Sequence, residues 1–263
     1  MASLSGVSLG GGGGGSAAAT ATFLWELVCD IDFTLEDPQV LSGGNLTVTN
    51  RVDGSPVVLA GQAVAIVSGA LVMTAATSSN LGVSSASVRT AALLGAAMTT
   101  LWPDFDGQPI RWGAEVTAAP TFDSSNRVWG VFAENAAGIG GGSLGHGYSA
   151  EVKGTGLGGA TRQSRTQADG STSTATVSST DYTTGLVCGV GLDGSGPVGL
   201  WSTTAGDAGE LDVLTAVGAV GAAGASSGGS PVQGVSRLGV FAAGSFVVNI
   251  KRLVLWARVA RVA

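Results

Sequence analysis

Charge is what this sequence has least of. Its 263 residues include 12 Lys and Arg and 18 Asp and Glu, so only 11% are charged, against about 25% in an average soluble domain. Histidine occurs once, tyrosine twice and cysteine twice. Acid–base and metal chemistry draw on those residues, so the stock for a catalytic centre is small. The net charge of −6 also argues against nucleic acid as a partner, because phosphate binding rests on a clustered excess of Lys and Arg.

Long apolar runs are missing as well. The best stretch, Val57–Met73, is interrupted by Gly61, Gln62, Ser68 and Gly69, whereas a spanning helix wants about 20 predominantly apolar residues. It reads as strands joined by a turn. Met1 to Thr22 holds no Lys or Arg and no sustained apolar segment, so it lacks the features of a secretory signal. The expectation is a soluble chain made in a cytoplasm, with no membrane partner.

Cys29 and Cys188 each lie in an apolar stretch. The simpler reading is two buried free thiols acting as small hydrophobes; a disulfide stays open, since sequence does not give the geometry. Two cysteines and one distant histidine supply no zinc ligand set. No cofactor is expected.

What the chain does have is glycine, 44 residues of it, beside 44% hydrophobic residues. Low hydrophobicity with high net charge marks disorder, and this composition is the reverse. The glycines lack the three-residue period of collagen. Residues 1–22 form a low-complexity arm, with Gly10, Gly11, Gly12, Gly13, Gly14 and Gly15 followed by Ser16 and three alanines, a composition that in isolation behaves as flexible coil. Residues 23–263 read as one domain.

That domain is β-patterned. Trp25, Leu27, Cys29, Ile31 and Phe33 alternate with Glu26, Val28, Asp30 and Asp32, the period of a half-buried strand. Similar signals fall at 45–50, 63–67, 70–75, 110–117, 127–134, 148–153, 172–178, 186–192, 198–203, 211–217, 235–242 and 246–258. Gly, Ser, Asn, Asp and Pro clusters separate them at short intervals, as in an all-β sandwich or barrel. Alanine-rich Ser87–Thr100 is the one helix candidate. No repeat of 20–50 residues is visible, which disfavours propellers and solenoids.

Three segments carry a family resemblance. "AIVSGALVMTA" (Ala65–Ala75) is a strand–Gly–strand hairpin. "RVWGVFAENAAGIGGGSLGHGYSAEV" (Arg127–Val152) is an apolar strand, a glycine-rich loop and a Tyr-led strand. "FVVNIKRLVLWAR" (Phe246–Arg258) is a long closing strand. In this order they resemble the concanavalin A-like, or laminin-G-like, jelly roll, whose closing strand returns beside the first. The resemblance implies an antiparallel β-sandwich over about Leu24–Arg258. It names no activity, because that fold hosts lectins, glycosidases, adhesion modules and virion proteins. The glycine/alanine arm ahead of a sandwich is similar in style to bacteriophage virion proteins, capsid decoration proteins among them.

Candidate sites follow from the scarce polar residues. Glu26, Asp30 and Asp32 share one strand face, with Asp30 and Asp32 about 6.5–7 Å apart; they suit an acid pair or a cation, or a solvated face neutralised by a neighbour. Jelly-roll glycosidases carry a Glu-x-Asp-x-x-Glu string, which is absent here. The natural neutralising neighbour is the last strand, with Lys251, Arg252, Arg258 and Arg261. "LWPDFDGQPIRW" (Leu101–Trp112) gathers Trp102, Phe105 and Trp112 with Asp104, Asp106 and Arg111: a sugar platform or calcium-bridged site, or a turn whose Asp side chains bond local backbone. His146 lies in a glycine-rich loop without a partner pattern for catalysis. Neither glycine run precedes the Gly-Lys-Ser/Thr of a phosphate loop.

The composite expectation is a non-enzymatic structural protein of a phage particle, most simply a capsid decoration protein at the virion surface. The arm and the basic last strand would contact the major capsid protein or neighbouring subunits, in a homo-oligomer such as a trimer. The alternative is a carbohydrate-binding adhesin or tail-fibre module using Trp102, Phe105 and Trp112.

Overall fold

The computed structural model describes residues 21–75, 86–89, 110–122, 127–135, 147–156, 159–168, 171–178, 186–192, 197–214, 217–219 and 235–262. The arm glycines, Trp102, Asp104, Phe105, Asp106 and His146 lie outside the described residues.

The chain enters on β1 (Ala21–Asp32) and makes a 3-10 turn at Phe33–Leu35. Then follow β2 (Gln39–Val40), β3 (Asn45–Thr49), β4 (Pro56–Gln62), β5 (Val64–Val67), β6 (Ala70–Thr74), β7 (Ala86–Arg89) and β8 (Ile110–Val116). The second half comprises β9 (Val128–Asn135), β10 (Gly147–Gly156), β11 (Gly159–Ala168), β12 (Ser171–Ser178), β13 (Val187–Leu192) and β14 (Pro197–Ser202). A 3-10 turn at Asp207–Glu210, β15 (Val217–Ala219), β16 (Val235–Ala243) and β17 (Val247–Val262) complete it.

Two antiparallel sheets result. One runs β15-β14-β13-β8-β17-β6-β5-β2, with β1 also on β17; the other runs β12-β11-β10-β9-β16-β7-β4-β3. The chain is an all-β sandwich. The closing strand β17 lies beside β1 along the register Ala21↔Val262 to Asp32↔Arg252.

The core is filled by the inward residues of both sheets. Ile31, Phe33, Leu46, Leu59, Ile66, Leu71, Met73, Ile110, Trp112 and Trp129 are all fully buried. At about 25 cal/mol per Å² of apolar surface removed from water, each such side chain contributes roughly 1.5–3 kcal/mol. Buried hydrogen bonds cross the core between the sheets: Trp112 Nε1–H donates to the Gly239 carbonyl at 2.9 Å, and the Cys188 thiol donates to the Ala150 carbonyl at 3.1 Å. Each satisfies a donor that would otherwise be costly at that depth.

The β5–β6 hairpin forms as its sequence directs. Ser68 and Gly69 both take positive φ, 50° and 76°, the hand of turn that matches strand twist. A side chain at Gly69 would also press to 3.2 Å from Thr34 Cα.

Elsewhere the sequence expectations need correction. The alternation of β1 is broken by a bulge between Leu27 and Cys29. Cys29, Ile31 and Phe33 enter the main core, whereas Leu27 packs on the opposite face with Val254 and Leu211. One inserted residue moves every side chain before it to the other face. Ser87–Arg89, expected to start a helix, belongs to strand β7, which bridges β4 and β16. Residues 211–214, expected to be strand, form turns after the 3-10 segment. Polar β11 gave no apolar signal, yet β10 and β12 pair it on both edges.

Candidate functional site

A cluster of ionisable groups lies where β1, β17 and β8 meet. It occupies the face of their sheet that points away from the sandwich core. Residues 203–214 cross this face as a strap. Arg111 holds the strap, its Nη1 donating to the carbonyls of Leu211 at 2.6 Å, Asp212 at 2.9 Å and Leu214 at 3.0 Å. The Arg111 guanidinium also stacks over the Trp25 ring, 5.1 Å from its centroid, a cation–π contact. Leu211, fully buried, packs where Gly113 and Gly189 leave the sheet bare. A Cβ on Gly113 would come within 2.4 Å of Leu211 Cδ1.

Beside the strap, Arg252 grips Asp30 with both prongs, Nε to Oδ1 at 2.7 Å and Nη2 to Oδ2 at 2.9 Å. That hydrogen bond and the Asp30 charge raise the guanidinium pKa above its ordinary value, against the opposing effect of burial. A second bulge, between Ile250 and Arg252, lets the consecutive Lys251 and Arg252 both serve this face. Lys251 Nζ meets Glu115 Oε1 at 3.0 Å, and the same oxygen accepts the Gly206 N–H at 3.1 Å. Glu115 is 1% exposed, and its Oε2 has no hydrogen-bond partner. Ser202 donates to Asp207 at the strap's start. Two acids thus meet two bases, and the strap's backbone is bonded to one of the two pairs, through the Gly206 N–H and Glu115. Chemically this arrangement fastens the strap to the sheet, through Arg111 and Glu115.

No family model matches the chain, and no curated protein sequence does. A solved structure of a protein of unknown function from Shewanella oneidensis MR-1 is similar at 11% identity and a TM-score of 0.37, over 93% of this chain and 90% of that one.

The expected site residues separate accordingly. Trp112 cannot serve a sugar platform: it is fully buried, with its indole N–H committed to Gly239 across the sandwich. Arg111 belongs to the strap. The expectation that the last strand neutralises the first is met by the Asp30–Arg252 pair, although Lys251 turns instead to Glu115. Lys251 and Arg252 are both engaged in ion pairs within the chain. Asp32 lies opposite Arg252 in register but caps the following turn, accepting from Thr34 N at 2.9 Å and Thr34 Oγ1 at 2.6 Å. Backbone pairing sets Trp25 opposite Arg258 and Thr22 opposite Arg261.

Sequence reading passed over Glu115. Its signal was one carboxylate within the apolar strand Ile110–Val116, a position that demands a buried cation partner. Among the described residues no group of three or more His, Cys, Asp or Glu could hold a metal ion, and no helix is long and apolar enough to cross a membrane.

Proposed function

We propose that the chain is a structural, non-enzymatic component of a bacteriophage particle, a capsid decoration protein anchored through its N-terminal arm, on a sandwich of the concanavalin A-like kind. The observation that carries this reading is the β1–β17 ladder. Residues 1–20 lead directly into β1, which is paired with the closing strand from its first residue, Ala21. Whatever the arm grips is thereby coupled through backbone hydrogen bonds to the centre of the sheet, the coupling an anchor needs. Glycine and alanine in the arm suit close backbone approach to neighbouring subunits.

The ion-paired cluster favours the same class. Arg111 and Glu115 are spent on holding a strap in place, a use that adds rigidity. The sugar-binding alternative is left without Trp112 and gains no support from the described residues.

The test is a deletion of residues 1–20, which stops short of β1. Particles assembled with only the truncated chain should lack it, while the purified truncation keeps the unfolding transition of the full chain. Unchanged occupancy of the particle would overturn the proposal.

A further inference from the structure

Among the described strands, β3 ends the second sheet, paired with β4 on one side. Its backbone alternates in direction. Gly61 N–H donates to the Gly44 carbonyl and Asn50 N–H to the Ser55 carbonyl, both at 2.8 Å. Leu46 and Val48, in step with these, turn their backbone groups toward β4, while Asn45, Thr47 and Thr49 turn theirs outward. Such an outward row of N–H and C=O groups is a template for another strand. The segment, Asn-Leu-Thr-Val-Thr, holds no charge and no proline to discourage one, and its Thr and Val residues favour strands.

That outward row is filled from within the chain. Ser42 and Asn45 exchange their N–H and C=O groups at 3.0 and 3.1 Å. Gly43 and Gly44 between them take φ of 60° and 82°, the tight turn of a two-residue hairpin. Continuing that ladder would set Val40 opposite Thr47. Instead Val40 pairs with Ala65, and Gln39 with Ile66, in the other sheet. The Gln39 side chain takes the place of the Val40 backbone: Thr47 N–H donates to Gln39 Oε1 at 3.2 Å, and Gln39 Nε2 donates to the Thr47 carbonyl at 2.7 Å. A carboxamide offers the same donor and acceptor as a peptide unit. Next along the row, Thr49 N–H donates to Glu36 Oε1 at 3.1 Å, and Arg51 Nη2 steadies the same oxygen at 2.7 Å. Gln39 therefore has its backbone in one sheet and its amide in the other.

We propose that residues 36–42 are an edge guard, in which the Gln39 amide occupies the site on β3 that would otherwise take β3 of a second copy of this chain, antiparallel about a two-fold axis at Thr47. The geometry selects that occupant. About such an axis Thr47 meets Thr47, and Asn45 meets Thr49, so the outward groups of one strand face those of the other in register. Facing threonines form a favourable cross-strand pair, and the uncharged segment brings no like charges together. A two-fold pairing closes on itself, so the guard holds back a dimer rather than a filament. With the guard in place, self-contact through this edge is blocked, and any assembly of the chain uses other surfaces. The inference goes beyond the particle reading and does not rest on it, since it concerns the free chain.

Hydrogen exchange, sedimentation and cross-linking of the full chain test it. The Thr47 amide of the natural chain should exchange slowly despite its place on an edge, and about tenfold faster in dilute Gln39→Leu, which offers it no acceptor. Gln39→Leu should also self-associate about tenfold more tightly than the natural chain, and Thr47→Lys added to it should abolish that gain by setting like charges together at the two-fold. Under mild oxidation Gln39→Leu/Thr47→Cys should give disulfide-linked dimers, because directly opposed positions place Cβ atoms about 4.5–5.5 Å apart. Thr47→Cys alone should give none, nor should Gln39→Leu/Val58→Cys, since Val58 stands opposite Thr47 on β4, away from the joined edge. The native Cys29 and Cys188 are fully buried and leave a quiet background. Thr47 exchange in the natural chain as fast as that of an exposed loop amide overturns the guard, whether or not Gln39→Leu folds. No gain in association by a folded Gln39→Leu, or a gain that cross-links at 58 or survives Thr47→Lys, overturns the pairing with a second copy.

Discussion

Asp30 and Arg252 meet diagonally across the seam between the first and last strands. Arg252 stands opposite Asp32 in register, while Asp30 stands opposite Val254, yet the two-pronged pair forms with Asp30. A diagonal span of about 7–8 Å is within reach of a long side chain. Asp32 is already committed to the turn that follows. The choice matters, because it fastens β17 to β1 beside the point where the strap crosses.

Breaking this pair should therefore cost more than an ordinary surface bridge. Its side chains are 24% and 15% exposed. Asp30→Ala is expected to lower stability by about 1.5–3 kcal/mol, the range for hydrogen bonds to charged groups. Arg252→Lys should recover little of the coupling, since an ammonium cannot supply the parallel pair of donors. A double-mutant cycle in urea denaturation reads the coupling directly; a value near zero would make the pair incidental.

Glu115 and Lys251 obey a different rule. With the carboxylate buried and Oε2 unpartnered, desolvation weighs against the pair, and only the partner and the Gly206 N–H offset it. Lys251→Met should cost about 3 kcal/mol by stranding the charge, and Glu115→Leu with Lys251→Met should cost less than Lys251→Met alone. Denaturation midpoints of the single and double variants check the order. A double variant less stable than the single would show that the pair contributes more than it costs.

The strap makes a steric prediction. Gly113→Ala would push a methyl into Leu211 Cδ1 and bring it to 3.2 Å from the Cys188 carbonyl, at a cost of about 1–3 kcal/mol. Leu211→Ala should cost about 2–5 kcal/mol as a large-to-small change in a buried cluster. Together they should cost clearly less than the sum, because the second change vacates the space the first one needs. Additive losses would mean that the Cys188 carbonyl, not Leu211, is the obstacle.

These relationships mark how far the sequence could be read. The two-residue period between Ile31 and Phe33, the Ser68-Gly69 turn and the long apolar run of β17 are local patterns, and the strands follow them. The bulge at Val28 left no local mark, so Trp25 and Leu27 were assigned to the wrong face. Ser87–Arg89 opens the alanine-rich stretch Ser87–Thr100, yet pairing from β4 and β16 makes it strand. Trp112 resembled a platform residue because its neighbours in sequence are aromatic and acidic. Its depth depends on β16 from the opposite sheet, which no spacing within Leu101–Trp112 encodes. Asp30 with Arg252 was foreseeable from opposite charge on first and last strands. The strap was not, because its anchor is an arginine bonded to backbone carbonyls, and those carry no residue-specific signal.

The two cysteines supply a dependence on pH. Burial is the main cause that pushes both thiols far above their ordinary range, with nearby carboxylates adding to it. A raised folded pKa means that stability is complete below the unfolded thiol's pKa of about 8.5 and declines as the pH climbs above it. The unfolded chain then releases protons that the folded chain retains. Each thiol should contribute a fall of about 1.4 kcal/mol per pH unit once the unfolded form is ionised. Denaturant midpoints measured from pH 8 to 10 should fall more steeply for the natural chain than for Cys29→Ala/Cys188→Ala. The native protein should also resist thiol reagents at pH 8 and yield both cysteines only on unfolding. Rapid labelling of either under native conditions, or equal slopes for the two chains, would mean that the folded protein ionises its thiols as readily as the unfolded one does.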